Sequence, residues 1–374
     1  MFELEESLDK VVEGQLSDRV VSAVLRVEDP TTCFTYEAVA GTVSRDDVTA
    51  ARRGDTFRIA SVTKTMTAAV IVALAYEGRC DLSRAAIDYL DDESAAILAT
   101  LHRYGGRSYG EKITVRQLLE HSSGLFDYAM SPGFAEALTR DPGRRWRPQE
   151  LLSGASEWGE PHFEPGGGYR YAYSDTNYVL LGLIIEALDG CRLDESYRSR
   201  ILDPLGMTST YLEGYEAHRG GALLHAYQGS HDVMTIHGSA DWAGGGLVSC
   251  AEDLARFGRG LFGGVVVDPS GLEAMQFYEF RVLDPSRHSP GFVGYGLGLE
   301  ARRYRQRLFR GHRGHWGVIF HVDPIDGLVI SGTINQAAVR PDALFSCAVD
   351  AVEAARSSET GAVGLSSRGR CDGI

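Results

Sequence analysis

Residues 57–68 read FRIASVTKTMTA, and this stretch decides the fold. The apolar run that starts here continues to about residue 77, which predicts a buried helix that ends at Gly78. Ser61 and Lys64 are three residues apart, so their side chains share one face of that helix. At a helix N-terminus the positive end of the helix dipole stabilises an oxyanion. The stretch therefore predicts a serine that is prepared for nucleophilic attack.

Lysine is scarce in this chain. Of the 37 basic residues only Lys10, Lys64 and Lys112 are lysines, which leaves 34 arginines. Arginine keeps its proton in proteins, whereas a lysine buried in apolar surroundings can lose its proton and act as a base. Lys64 is the lysine that lies within an apolar helix pattern. We therefore predict that Ser61 is a nucleophile and that Lys64 accepts its proton.

Two other serines lie in patterns that catalytic serines use. Ser7 and Lys10 repeat the Ser-x-x-Lys spacing, but they lie among acidic residues on a helix that we expect to be exposed. Ser108 lies in GRSYG at 106–110, which matches the Gly-x-Ser-x-Gly elbow of α/β-hydrolases. That elbow needs a buried strand before the serine. The segment before Ser108 has a helical pattern instead, so we expect a loop serine.

Composition excludes several classes of function. The 374 residues are 44% hydrophobic and 24% charged, as in soluble globular proteins. The net charge of −14 argues against nucleic acid or an anionic membrane as a partner. No stretch approaches the roughly 20 apolar residues of a membrane span, and the acidic N-terminus does not resemble a secretory signal, so we expect a cytoplasmic protein. The six cysteines form no Cys-x-x-Cys pair and are expected to be reduced.

The histidine spacing does not favour a metal site. His312, His315 and His321 would not all face one way on a strand, and the chain has no His-Glu-x-x-His motif. Three evenly spaced histidines between residues 225 and 237 lie in a glycine-rich region without a pattern of acidic ligands. No glycine-rich phosphate loop precedes a helix. We predict no metal and no cofactor.

Strand patterns lie towards both ends of the chain, with helical patterns between them. Residues 18–28 and 33–43 predict a β-hairpin, and residues 294–334 predict further strands. Thr114-Val-Arg-Gln predicts a capping box at the start of a helix, and residues 175–189 predict a buried helix.

The simplest packing of these patterns is an α/β domain with a helical insertion. We predict that residues 1–79 and 215–356 form the α/β domain and that residues 80–214 form a mainly helical domain. Residues 357–374 are small and polar, which predicts a disordered tail.

Two further motifs follow Ser61 in chain order. Tyr173-Ser-Asp175 lies in a loop that is rich in glycine and tyrosine, where a phenol near a lysine can shuttle protons. His312-Arg-Gly314 lies in a strand pattern, and a glycine there indicates close approach of another group, such as a substrate. The alternatives are a tyrosine that only packs and a bend in the sheet with incidental histidines.

In this order, the motifs Ser61-x-x-Lys64, Tyr173-Ser-Asp175 and His312-Arg-Gly314 resemble those of the serine β-lactamase-like superfamily. This superfamily includes class C β-lactamases, D-alanyl-D-alanine carboxypeptidases, and related esterases and transacylases, and its pattern is S-x-x-K, Y-x-N and K/H-x-G. The resemblance extends to about residue 355. The other segments that carry it are ITVRQLLEHSSGL, PGGGYRYAYSDTNYVLLGLIIEALDG, ILDPLGMTSTYL, AGGGLVSCAEDLARFGRGL and GHRGHWGVIFHVDPIDGLVISGTIN.

The resemblance implies an α+β fold, in which an antiparallel sheet is flanked by helices and carries an inserted, mainly helical domain. It implies that Ser61 forms an acyl-enzyme, and that Lys64 and Tyr173 handle the serine proton and the proton of the leaving group. It also implies that His312 lines the cleft and helps to position the substrate or Tyr173.

The resemblance further implies a substrate-binding edge along the last motif. The backbone N–H groups of Ser61 and His315 would form the oxyanion hole, and Gly314 would leave room for the substrate. Trp316 is a candidate for the pocket wall, as are Phe126, Tyr128 and Trp242, and the alternative for each is ordinary packing.

Asp175 stands where the family pattern usually has asparagine. An ionised carboxylate only accepts hydrogen bonds, whereas an amide also donates them. Asp175 could pair with Lys64 and hold its proton, which would make Lys64 a poorer base. We expect Asp175 to disfavour the side-chain carbonyl of a β-lactam and to prefer an amine or another N–H donor.

These patterns together predict a serine acyl-transfer enzyme that acts on a small ester or amide. With water as acceptor it is an esterase or amidase, and with an amine or alcohol it is a transacylase, for example in the tailoring of secondary metabolites. A D-alanyl-D-alanine carboxypeptidase or β-lactamase is one alternative. A catalytically inactive binding module with the same fold is another, but it would have no use for all the motif residues. The oligomeric state is not predicted.

Overall fold

Strands lie near both ends of the chain, and helices make up most of its middle. The computed structural model describes residues 2–166, 170–277 and 290–366. The helices are α1 (Phe2–Glu13), α2 (Thr63–Tyr76), α3 (Asp92–Leu101), α4 (Val115–Leu119), α5 (Pro132–Arg140), α6 (Pro148–Trp158), α7 (Asp175–Asp189), α8 (Leu193–Tyr197), α9 (Trp242–Gly245), α10 (Ala251–Phe262), α11 (Pro269–Gln276) and α12 (Asp342–Ser366). The strands are β1 (Ser22–Asp29), β2 (Phe34–Gly41), β3 (Phe57–Arg58), β4 (Arg103–Tyr104), β5 (Arg107–Ser108), β6 (Tyr211–Leu212), β7 (Tyr227–Gln228), β8 (His231–Asp232), β9 (Leu247–Ser249), β10 (Phe292–Tyr295), β11 (Glu300–Tyr304), β12 (Arg307–Gly314), β13 (Val318–Val322) and β14 (Val329–Thr333).

The central sheet joins the two ends of the chain. Within the described ranges its strand order is β10-β11-β12-β13-β14-β1-β2, and each neighbouring pair is antiparallel. β1 and β2 form the predicted hairpin, with Ser22 opposite Gly41 and Asp29 opposite Phe34. The other edge of β1 pairs with β14, so the last strand closes the sheet against the first hairpin.

Helices cover both faces of this sheet. Leu25 and Val27 pack in one apolar cluster with residues of α1 and α12, whereas Val24 faces the larger core on the opposite side. This alternation follows from the period of two in a strand. α10 packs on the face that carries Val24. The predicted α+β fold, an antiparallel sheet flanked by helices, is confirmed.

Helix α2 lies inside the larger core. Its residues from Thr63 to Val72 are all buried, so the helix has no polar outer face. It packs against α7 and α9, which come from distant parts of the chain. The predicted helix over 175–189 is observed as α7, and Thr114 and Gln117 form the predicted capping box of α4. The division into two domains stays a prediction.

The C-terminal helix is longer than expected. α12 extends through residues 357–366, which the sequence assigned to a disordered tail. No proline, the strongest helix breaker, interrupts this segment. Residues 367–374 lie outside the described residues. Within the part of the chain that the structure describes, no helix is both long enough and apolar enough to cross a membrane.

Candidate active site

Ser61 lies on a single 3₁₀ turn, Ala60–Val62, that leads directly into α2. The residue before it, Ala60, has a φ of +46°, a left-handed conformation that residues with side chains rarely adopt. Such strained positions persist only where the surroundings hold them. Here the N–H of Ile59 donates to the carbonyl oxygen of Leu247 at 3.0 Å, which fixes the start of the turn.

Gly314 holds the same turn from the other side. A Cβ atom at position 314 would lie 2.4 Å from the carbonyl oxygen of Ile59 and 2.9 Å from Cβ of Val318. Only glycine lets the end of β12 approach the turn this closely. We expected Gly314 to leave room for a substrate. The structure shows close contact with the main chain that precedes Ser61, and the room for a substrate stays a prediction.

Lys64 lies at the centre of the candidate site. Its side chain is 0% exposed, and Nζ donates to Ser61 Oγ at 3.0 Å and to the carbonyl oxygen of Gly244 at 2.6 Å. Nζ also forms an ion pair with Oδ1 of Asp175. Three acceptors match the three N–H groups of an ammonium. The spacing of Ser61 and Lys64 thus places them in contact, and Asp175 completes the group.

Tyr173 lies beside this group with its hydroxyl buried. Lys64 Nζ is 5.0 Å from the centre of the Tyr173 ring. Burial, supported by the negative charge of Asp175, raises the pKa of Tyr173 well above its usual range, although the nearby Ser61 hydroxyl partly lowers it. Tyr173 therefore keeps its proton at neutral pH. Among the residues that the structure describes, no group hydrogen-bonds to the Tyr173 hydroxyl with good geometry.

Two further carboxyl groups surround Asp175, and sequence reasoning missed both. Oδ1 of Asp127 accepts the backbone N–H of Asp175 at 3.1 Å. Burial and then the charge of Asp175 raise the pKa of Asp127 to about 8, and the same two causes raise the pKa of Asp241 to about 6. Asp127 thus holds a proton at neutral pH. The surroundings of Lys64 are rich in carboxyl oxygens.

His312 makes its polar contacts with Tyr295 and with the backbone. Its Nε2 lies 2.9 Å from the Tyr295 hydroxyl, and its Nδ1 lies 2.7 Å from the carbonyl oxygen of Arg313. Burial, followed by the charge of Lys64, lowers the pKa of His312 to about 3, so the ring is neutral. A neutral ring here has its proton on Nδ1, because a carbonyl only accepts, and Nε2 then accepts the Tyr295 hydroxyl. The rings of His312 and Tyr173 are 6.2 Å apart.

The two remaining candidates lie just after β12. The side chain of His315 is exposed, and its Nε2 is 3.3 Å from Oε1 of Gln228. Trp316 is only 9% exposed and belongs to the larger core. Trp316 therefore packs in the interior, which leaves little of its ring to form a pocket wall.

The two other serines lie in different surroundings. The Ser7 hydroxyl donates to the carbonyl oxygen of Glu3, and Lys10 pairs with Glu6 at 2.7 Å while their side chains are 69% and 55% exposed. Ser108 is exposed in the two-residue strand β5, and a short 3₁₀ turn follows it. Neither arrangement provides a buried base or a nucleophile elbow.

Sequence reasoning missed several groups at the site because their signals were weak. His121, Asp127 and Gly244 lie within or just after two segments, ITVRQLLEHSSGL and AGGGLVSCAEDLARFGRGL, that carry the family resemblance. The segments were evident, but nothing in them showed which atoms reach Lys64 or Tyr173. Tyr295 lies in a strand pattern that is typical of ordinary packing.

Comparison with known proteins gives consistent relatives. Protein Rv1367c of Mycobacterium tuberculosis is 29% identical over 280 residues, which cover 66% of this chain and 66% of that protein. A D-aminopeptidase of Cereibacter sphaeroides is 25% identical over 243 residues, or 63% of this chain and 45% of that protein. The chain therefore spans slightly less than two thirds of the first relative and under half of the second. The crystal structure of a D-stereospecific amidohydrolase from Streptomyces sp. has a TM-score of 0.77 at 28% identity, and the match covers 91% of this chain and 97% of that one.

The family match extends over most of the sequence. The profile of the beta-lactamase family matches residues 27–345, a range that contains each of the three motifs. The solved amidohydrolase shares the fold over 91% of this chain. This chain therefore belongs to the beta-lactamase family, within the serine β-lactamase-like superfamily that its motifs predicted.

Proposed function

We propose that this protein is a serine hydrolase that forms an acyl-enzyme on Ser61 and acts on small amides or esters. The observation that carries the proposal is the 3.0 Å contact between Ser61 Oγ and Nζ of the fully buried Lys64. A buried amine in contact with a serine hydroxyl is the arrangement in which the serine proton can be removed. The amidohydrolase and aminopeptidase relatives support an amide substrate.

In the proposed reaction Ser61 Oγ attacks the substrate carbonyl carbon and its proton passes to Lys64. The bond from that carbon to the leaving nitrogen or oxygen breaks, and protonated Tyr173 donates a proton to the leaving group. Lys64 then returns a proton to Tyr173. In the second half of the reaction, water attacks the carbonyl carbon of the acyl-enzyme and gives a proton to Lys64. The bond from that carbon to Ser61 Oγ then breaks, Lys64 returns the proton to Ser61 Oγ, and the carboxylic acid leaves. An amine or alcohol acceptor, which would make the protein a transacylase, stays a prediction.

Asp175 is the residue that selects the substrate in this proposal. In the free protein its carboxylate forms an ion pair with Lys64, which opposes the action of Lys64 as a base. A substrate with an ammonium group near the scissile carbonyl can replace Lys64 as the ion-pair partner of Asp175. Lys64 is then free to give up its proton and to accept that of Ser61. An N-acylated substrate has no cationic group with which to make this exchange.

The test compares an amino acid amide that has a free α-amino group with its N-acetylated form. In the wild type we expect the free amine to react with the higher kcat/KM. Asp175→Asn should lower kcat/KM for the free amine by roughly 10- to 100-fold, the value of a hydrogen bond to a charged group. For the N-acetylated amide, kcat/KM should fall little or should rise.

The exposed Asp18 provides a matched control, because Asp18→Asn removes one carboxylate from the surface. This variant should behave as the wild type on both substrates. An equal loss on both substrates in Asp175→Asn would contradict the assignment of substrate choice to Asp175. No hydrolysis of any amide or ester by the wild type would contradict the proposed function itself.

A further inference from the structure

We infer that His121 is a positioning residue that holds Tyr173 in the orientation that protonation of the leaving group requires. The inference rests on the proposed function, because it assigns a task to Tyr173. His121 lies two residues beyond α4 and is fully buried. Sequence analysis gave it no role.

The backbone of His121 has an uncommon conformation. Its φ is +58°, in the left-handed region, where histidine, asparagine and aspartate are enriched among residues with side chains. This conformation directs two hydrogen-bond acceptors of His121 towards the loop that contains Tyr173. The carbonyl oxygen of His121 accepts the N–H of Ala172 at 3.0 Å, and its ring Nδ1 accepts the N–H of Ser174 at 3.1 Å. These hydrogen bonds hold the main chain on both sides of Tyr173.

The ring of His121 also contacts the face of Tyr173. The two ring centres are 4.3 Å apart and the planes are inclined by 32°. Tyr295 contacts the same imidazole, with ring centres 4.9 Å apart. Tyr173 is therefore held at both neighbouring peptides and along its ring by a single buried residue, through its carbonyl oxygen and its imidazole.

This support matters because the tip of Tyr173, which lies near the Ser61 hydroxyl, is weakly held. Among the described residues, the Tyr173 hydroxyl has no hydrogen-bond partner with good geometry. Its direction must then be set by the loop and by ring contacts, which are the two features that His121 controls. A proton donor that lies even 1 Å out of place can cost about 100-fold in rate.

The hydrogen bonds define the state of the imidazole. Nδ1 accepts from Ser174 N–H and lies 3.0 Å from Nδ2 of Asn177, whose Oδ1 accepts the Ser123 hydroxyl at 2.6 Å. Nδ1 therefore carries no proton, and the neutral ring is protonated at Nε2. Asn177 in turn orients the ring from α7. His121 acts through Tyr173 and has no proton-transfer step of its own.

Two substitutions separate the hydrogen bond from the backbone. His121→Asn keeps an acceptor, because Oδ1 of asparagine takes nearly the place of Nδ1. His121→Gly removes the acceptor. Both residues tolerate a φ of +58°, and both remove the ring, so the comparison tests the side-chain acceptor rather than the backbone conformation or the ring.

The readout is kcat/KM on an amide and on the p-nitrophenyl ester of the same acyl group. p-Nitrophenolate leaves without a proton, whereas an amine does not, so a misplaced Tyr173 slows only the amide. We expect His121→Gly to lose about 100-fold on the amide and less than about threefold on the ester, with Tyr173→Phe showing the same split. His121→Asn should stay within about fivefold of the wild type on both. His121→Gly should add no further loss when combined with Tyr173→Phe.

The possible outcomes are distinguishable. Equal losses on amide and ester in His121→Gly, or an asparagine variant as impaired as the glycine variant, would overturn the inference while the function stands. If Tyr173→Phe lowers kcat/KM equally on the amide and on the ester, the proposed role of Tyr173 as proton donor is contradicted. The positioning role of His121 is then contradicted as well. Retained ester hydrolysis in each variant shows that the fold is intact.

Discussion

Gly314 helps to place Ser61, because its lack of a side chain lets β12 approach the turn that holds this serine. A methyl group there would meet the Ile59 carbonyl oxygen at 2.4 Å, so Gly314→Ala must push β12 away from the turn that holds Ser61. We expect kcat/KM to fall at least about 10-fold and the free energy of unfolding to fall by about 1–3 kcal/mol. Ester hydrolysis measures kcat/KM, and urea unfolding measures the free energy of unfolding.

Gly143 is the matched control for this substitution. A Cβ atom at position 143 would have its nearest neighbour, Oδ1 of Asp141, at 3.9 Å. Gly143→Ala should therefore leave activity and stability close to those of the wild type. Normal activity in Gly314→Ala would show that the contact does not fix the turn.

Part of the site was predictable at the level of single residues. Ser61 and Lys64 share one helix turn, so their spacing predicted the contact. Gly244 accepts from Lys64 across 180 positions of sequence, and Ser174 meets His121 across 53. No local pattern contains such pairs, because they arise only when α2, α4, α7 and α9 pack together. Buried Asp127 was missed for the same reason.

At the scale of elements, the predictions depended on helix caps and on the periodicity of apolar residues. The hairpin β1–β2 and helix α7 follow from alternation and from an apolar run, which are local properties. The course of α12 beyond residue 357 was not predictable from composition, because small polar residues occur both in exposed helices and in disordered segments. The order of the strands in the sheet was not predicted, since β14 pairs with β1 across most of the chain.

Helix α4 provides a test at this scale because it is only five residues long. Its capping box satisfies two backbone groups, with Gln117 N–H donating to Thr114 Oγ1 at 3.2 Å and Thr114 N–H donating to Gln117 Oε1 at 3.0 Å. Thr114→Ala should lower the free energy of unfolding by about 1 kcal/mol, whereas Thr114→Ser should retain most of it. Urea unfolding measures both. Equal stability of the two variants would mean that the cap does not stabilise α4.

At the scale of the whole molecule, Arg356 ties the last helix to the first strand. Its guanidinium donates to Asp29 at 2.6 and 2.8 Å and to Asp326 at 2.6 Å. Burial alone would raise the pKa of Asp29, but the hydrogen bonds from Arg356 and two threonines outweigh burial and lower this pKa to about 2. An unfolded aspartate titrates near pH 4. The ion pair therefore contributes stability above about pH 4, and that contribution is lost as the pH falls towards 2.

Arg356→Gln should lower the free energy of unfolding by about 1–3 kcal/mol at pH 6, and the difference from the wild type should shrink towards pH 2. Arg305 is the control, because it also pairs with α12 but its side chain is 53% exposed. Arg305→Gln should leave the free energy of unfolding close to that of the wild type, because an exposed ion pair contributes little. Chemical unfolding at several pH values gives these differences. A loss in Arg356→Gln that is the same at pH 6 and near pH 2 would contradict the account.

The account as a whole depends on Ser61 as the nucleophile. Its most direct test is incubation with a fluorophosphonate, followed by digestion and mass spectrometry of the labelled peptide. We predict one adduct on the peptide that contains Ser61, no adduct in Ser61→Ala, and unchanged labelling in Ser108→Ala. An adduct on Ser108, or a Ser61→Ala variant that labels and hydrolyses as the wild type does, would contradict the account.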